Sequence, residues 1–236
     1  MSADVTNSPE PREQPFPCID EALRIPGPIG ELEALTSCPA DGALSATAVV
    51  CHPHPLHGGT MQNKVVHYLA RTLTELGLRV VRFNFRGVGA SEGRYSEGAG
   101  EQEDLHAVVQ WVRAHQRGGE VWLAGFSFGS YVALREAMAG EVERLITVAP
   151  PVESFDFSDL GAPPCPWLLL QGTADEVVSA DAVRKWSRRQ NPPPEMVFLP
   201  GVDHFFHGQL PTLRATLLER LGPAADALRR TPGTWR

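Results

Sequence analysis

Apolar and polar residues follow two different periods along this chain, and each change of period marks an element. Lys64 to Leu76 places Val65, Val66, Leu69, Leu73 and Leu76 at three-to-four-residue intervals and is followed by Gly77. That spacing predicts an amphipathic helix with a glycine stop. Gly100 to His115 repeats the pattern with Leu105, Val108, Val109 and Val112. Between and after them lie short, almost unbroken apolar runs: Ala46 to Cys51, Leu78 to Phe85, a run starting near Glu120, Leu145 to Ala149, Pro166 to Gln171 and Met196 to Leu199. Runs of this length rich in Val and Leu predict strands buried on both faces. Their alternation with helices predicts an α/β fold of three layers, a mainly parallel central sheet with helices on both faces. Ile19 to Ser37, with Pro-Gly-Pro-Ile-Gly at its middle, predicts an opening antiparallel hairpin at the sheet edge. A last helical segment follows the final strand.

Composition narrows the picture. Residues 1 to 17 are polar with four prolines, which predicts a disordered or loosely attached leader, with a single domain over residues 18 to 230. A chain of 236 residues with 42% hydrophobic content can build one large core. The formal net charge of -7 argues against nucleic acid or an anionic membrane as partner, because both demand clustered Lys and Arg. It leaves a small molecule as the expected partner, while the oligomeric state, a homodimer included, is not readable. No window approaches the roughly 18 apolar residues of a membrane span, and the N-terminus lacks a basic stretch followed by an apolar one, so a cytoplasmic protein is expected. Cys18, Cys38, Cys51 and Cys165 show no Cys-x-x-Cys spacing, which predicts free thiols and neither a zinc ribbon nor a redox pair. Cys51 and His52 are successive strand residues, which point to opposite faces and cannot share a proton.

Chemistry enters at Val121 to Gly129, Val-Trp-Leu-Ala-Gly-Phe-Ser-Phe-Gly. This is an apolar run ending in Gly-x-Ser-x-Gly, where a strand turning sharply into a helix lifts Ser127 above the sheet edge if its neighbours two residues away are small. A serine hydroxyl is a weak nucleophile unless a base takes its proton and a third group orients that base. Asp175 follows the run Pro166 to Gln171, and His204 follows Met196 to Leu199 in Pro-Gly-Val-Asp-His-Phe-Phe-His. Rival positions exist in Ser130, His207, Asp203, Asp156 and Asp159. The order Ser127, Asp175, His204 is the serine, acid, histidine order of α/β-hydrolases.

With these three motifs the chain resembles the α/β-hydrolase superfamily from about Ile19 to Leu221. Cys51-His-Pro-His-Pro-Leu-His-Gly-Gly-Thr-Met61 and Arg86-Gly-Val-Gly-Ala-Ser-Glu-Gly93 are similar to two loops of its small bacterial serine hydrolases. The resemblance implies ester or thioester hydrolysis through an acyl-enzyme, with no cofactor, and it selects His204 through the pattern from Gly201 to Phe206. It also implies an oxyanion hole made by the backbone N–H groups of Phe128 and of a residue in the loop after the first inner strand. Pro53 and Pro55 have no N–H, which leaves His54 and Leu56, and the family's simpler loop favours His54.

Other readings of these loops are weaker. His52, His54 and His57 could suggest a metal, but no Asp or Glu falls between Cys51 and Glu75, so no metal site is expected. Arg86 to Gly93 lacks the Lys-Ser/Thr pair of a phosphate loop. Only about sixteen residues separate the strand at Leu145 to Ala149 from the next, too few for a cap domain, so the lid should be minimal and the substrate a small ester. Leu56, Met61, Phe155, Phe157 and Phe205 are candidates for the substrate pocket, with Phe206 nearby. A thioesterase or small-acyl peptidase on the same fold, or a non-catalytic scaffold, are the alternatives.

Overall fold

The structure, a computed structural model, describes residues 15–18, 22–116 and 118–230. Most of the expected leader, residues 1–14, lies outside the described residues. Phe16, assigned to that leader, packs its ring 5.8 Å from Trp111 and 5.7 Å from the Arg79 guanidinium.

Among the described residues, eight strands form one sheet. The hairpin β1 (Leu23–Pro26) and β2 (Glu31–Ser37) is antiparallel, and β2 pairs antiparallel with β4 (Arg79–Phe83). From there β3 (Ala46–Cys51), β4, β5 (Glu120–Phe126), β6 (Arg144–Val148), β7 (Trp167–Gly172) and β8 (Glu195–Leu199) run parallel, in the order β1-β2-β4-β3-β5-β6-β7-β8. All residues of β3 and β7 are buried, which is why those segments read as continuous apolar runs instead of alternating ones.

Each face of the sheet has its own core. On one, Val49, Val81, Leu123 and Leu169 pack with α2 (Ala99–His115) and α3 (Phe128–Ala137). On the other, Val50, Val80, Trp122, Ala124 and Leu170 meet α1 (Lys64–Glu75) and α5 (Leu210–Arg230). Burying one such Val or Leu contributes about 1.5–3 kcal/mol, so the two-sided core outweighs local helix propensity in fixing the layers. The eight-residue α4 (Ala180–Ser187) was not anticipated; only Val183 and Ser187 of it are buried, too few positions to print a period. No helix or strand intervenes between β6 and β7, in line with the minimal lid.

One expectation fails outright. Cys18 and Cys38, read as separate thiols, form a disulfide, while Cys51 and Cys165 are free. Cys18 and Cys38 flank the β1–β2 hairpin, one before β1 and one directly after β2, and their Cα atoms lie 5.7 Å apart.

The topology also places the site. After β3 the chain crosses to β4 on one side, and after β5 it crosses to β6 on the other. The connections thus diverge at the C-terminal ends of β3 and β5, where open α/β sheets form their ligand crevice.

Candidate active site

The chain leaves β5 at Phe126 and enters α3 at Phe128, so Ser127 alone makes the turn. It holds φ 52° and ψ -120°, a conformation that costs a non-glycine residue about 1–3 kcal/mol and persists only where the surroundings enforce it. Enforcement comes from the Ser127 N–H donating to the Val148 carbonyl and the Ser127 carbonyl accepting from the Ser130 N–H, both at 2.8 Å. Ser130, unassigned by sequence reasoning beyond its rejection as nucleophile, adds to this. Its Oγ accepts from the Val148 N–H at 3.1 Å and lies 2.7 Å from the Gly125 carbonyl, pinning β5 to β6 beneath the turn. A Cβ on Gly125 would come within 2.2 Å of the Gly129 carbonyl, and one on Gly129 within 2.4 Å of the Cys51 carbonyl. Both glycines are needed because backbone passes backbone there.

His204, in the loop after β8 and 3% exposed, reaches across to this apex. Its Nε2 lies 3.2 Å from Ser127 Oγ and its Nδ1 2.8 Å from Asp175 Oδ2. The buried Asp175 carboxylate accepts four hydrogen bonds. The N–H groups of Val177 and Val178 donate to Oδ1 at 2.9 and 2.7 Å, and Gln171 Nε2 at 3.0 Å joins His204 on Oδ2. Burial alone would raise its pKa, but the hydrogen bonds from His204, Val178 and Val177 together hold the carboxyl below its ordinary range. An ionised carboxylate facing Nδ1 fixes the proton on that nitrogen and leaves the Nε2 lone pair for the Ser127 hydroxyl. Such a chain can draw a proton from Ser127 and stabilise the resulting imidazolium. Gln171 was missed by sequence reasoning, although a single polar residue ending the apolar run Trp-Leu-Leu-Leu was a usable signal.

The rival residues lie elsewhere. His207 Nδ1 is 2.8 Å from Asp203 and both are in contact with solvent. Asp156 accepts from Ser158, and Asp159 is exposed. Arg86 is a fastener: its guanidinium and its backbone N–H both bind the Asp104 carboxylate at 2.8–3.1 Å, closing the glycine-rich turn onto α2.

The loop after β3 carries the other histidines. His52 is buried, its Nδ1 2.6 Å from the Pro53 carbonyl and its Nε2 accepting from the Phe85 N–H at 3.1 Å. Burial lowers its pKa to about 4, so the ring is neutral and both nitrogens are committed to backbone. Burial also drives the Cys51 thiol far upward, with the Glu136 charge adding to it, so no Cys-His dyad forms. In His54, Nδ1 accepts from the Leu56 N–H at 3.2 Å and Nε2 lies 3.1 Å from the Tyr95 hydroxyl. Tyr95 was also missed.

Of the pocket candidates, Leu56 and Phe205 are 68% and 46% exposed, and the Phe205 ring lies edge-on to His204. Phe155 is half-buried, its ring 5.2 Å from Phe128 and 5.8 Å from His54. Phe157 instead packs in the core between Tyr131 and Trp186, so a wall role for it is corrected to packing. Met61 is buried, its backbone held by Asn84 and Arg82. Phe206 is buried in the opposite core.

Comparison with known proteins agrees with this picture. A family model described as an alpha/beta hydrolase domain matches residues 46–229. The chain is 36% identical over 190 residues to an uncharacterized protein of Rickettsia prowazekii (strain Madrid E), covering 76% of this chain and 79% of that one. Among solved structures it is similar to an a/b serine hydrolase without lid from Xanthomonas campestris, with 46% identity, a TM-score of 0.85, and coverage of 89% of this chain and 97% of that one. An alpha-beta serine hydrolase homologue from Coxiella burnetii shares 48% identity at a TM-score of 0.85, covering 87% and 99%.

Proposed function

The chain belongs to the α/β-hydrolase family, and on that premise we propose that it cleaves small carboxylic esters through an acyl-enzyme on Ser127. The observation that carries the proposal is His204 bridging Ser127 Oγ at 3.2 Å and Asp175 Oδ2 at 2.8 Å. Ser127 Oγ attacks the ester carbonyl carbon as its proton passes to His204 Nε2. The alkoxide then leaves with that proton, giving the acyl-enzyme. Water enters the same position, gives its proton to His204 and releases the acid and free Ser127.

Charge developing on the carbonyl oxygen meets the backbone N–H groups of Phe128, at the positive end of α3, and of His54. Two features favour His54 over Leu56. The Leu56 N–H is already directed at the His54 ring, and the imidazole's own contacts to Leu56 and Tyr95 make it a brace for the loop. The exposed Leu56 and Phe205 and the β6–β7 connection, which carries no helix or strand, support an open site for short acyl groups.

The test is hydrolysis of nitrophenyl acetate, butyrate and a long-chain ester by wild type and Ser127→Ala, with and without chelator. Turnover of the short esters that survives chelation and vanishes in the variant is expected. Turnover retained by Ser127→Ala would overturn the proposal, and a preference for the long chain would refute the short-acyl assignment.

A further inference from the structure

Away from Ser127, a cavity of about 760 Å³ opens between the β2–β3 connection, α1 and the end of α5, with Cys38, His67, Arg71, Glu75, Arg82 and Arg229 on its walls. It shares no lining residue with the serine site. On these walls Glu75 is held by Arg214, and Arg229 by Asp226 and the Leu76 carbonyl, while Asp41 and Arg71, also on the lining, are exposed to solvent. Arg82 is the buried cation. It is 8% exposed, and among the described residues no carboxylate pairs with it. Its two hydrogen bonds both run through Nη1, to the Met61 carbonyl at 3.2 Å and to His67 Nδ1 at 3.4 Å. Among the described residues Nε is buried without a hydrogen-bond partner.

His67 cannot supply the missing charge, because an imidazole that accepts from a guanidinium is neutral on that nitrogen. Arg71, one turn further along α1, adds a second cation at the mouth. The same fold shows how a buried arginine is otherwise treated: Arg86 has its Nε and Nη2 filled by the Asp104 carboxylate. A guanidinium taken out of water without a counter-charge is strongly unfavourable, and an oxyanion is the group that completes it, through charge-assisted bonds.

We propose that this cavity is a second binding site, one that takes a phosphate or phosphomonoester with Arg82 as its buried anchor and Arg71 and His67 at its entrance. A multiply charged oxyanion suits two cations approaching from a strand and a helix better than a single carboxylate does.

The experiment is thermal unfolding and calorimetric titration of the full chain with inorganic phosphate and, separately, glycerol 3-phosphate, each against chloride at matched ionic strength. A saturable rise in Tm is expected by mass action. Affinity should fall at least about tenfold in Arg82→Gln and about threefold or more in Arg71→Gln, each interaction to a charged group being of that order. Tighter binding of the glycerol ester identifies an organic phosphate as the ligand; equal binding identifies the free anion. Arg71 is exposed, so its variant carries the test if Arg82→Gln does not fold. No saturable effect beyond chloride, or affinity unchanged in the variants that fold, would overturn the proposal. Binding is read independently of ester hydrolysis, so failure here leaves the assignment of Ser127 untouched.

Discussion

Two histidine-bearing loops border the crevice, and they use the same side chain in opposite ways. His52, after β3, and His204, after β8, are 0% and 3% exposed. Both ring nitrogens of His52 meet backbone groups, which cannot change protonation, and burial holds its pKa near 4. The ring of His204 lies between a carboxylate and a hydroxyl, which can. Burial alone therefore does not distinguish the two histidines; the partners at their two nitrogens do. His54 is intermediate: its ring braces a loop through Leu56 and Tyr95, and the chemistry assigned to it belongs to its main chain.

The largest expected effect lies on the His204 side. Asp175→Asn keeps the shape but presents an amide where Nδ1–H needs an acceptor, so kcat should fall by about 10⁴ with little change in KM. Near-normal kcat would remove Asp175 from the role.

The His52 side responds in stability. Its folded pKa lies below its unfolded value, so between pH 6.5 and about 4 the unfolded chain binds a proton that the folded chain refuses. Stability is full above that window and falls as pH drops through it, by about 3 kcal/mol at about 1.4 kcal/mol per pH unit. Urea unfolding from pH 7 to 4 should show this loss in wild type and a shallower one in His52→Asn. Equal slopes would contradict the assignment. Asp175, depressed in its turn, contributes stability that is lost only at lower pH, as its carboxylate protonates below the ordinary range near 3.8.

The smallest effect is expected at His54. His54→Ala removes the brace but leaves the N–H, so the rate should stay within about tenfold of wild type. A loss as deep as that of Asp175→Asn would transfer the function to the imidazole.

These contrasts explain what the sequence could and could not reveal. Apolar periodicity anticipated β3 residue for residue and α1 to within one residue, because both are set by burial. The residues that meet at Ser127 were legible because each follows a strand end. The pairing of Cys18 with Cys38 was not read, since it depends on the hairpin that the two flank and not on cysteine spacing. Gln171 and Tyr95 were passed over, and Ser130 was weighed only as a rival nucleophile, because isolated polar residues acquire meaning only from what folds against them. The different fates of His52 and His204 were likewise invisible in one dimension: each follows a strand, and only the third dimension supplies Phe85 to one and Ser127 to the other.

The decisive measurement is intact mass after incubation with a fluorophosphonate, for wild type, Ser127→Ala, His204→Ala and His52→Asn. One adduct on wild type and on folded His52→Asn, with none on Ser127→Ala and little on His204→Ala, is the expected result. Labelling that persists in Ser127→Ala, or that depends on His52 as strongly as on His204, would contradict the central assignment.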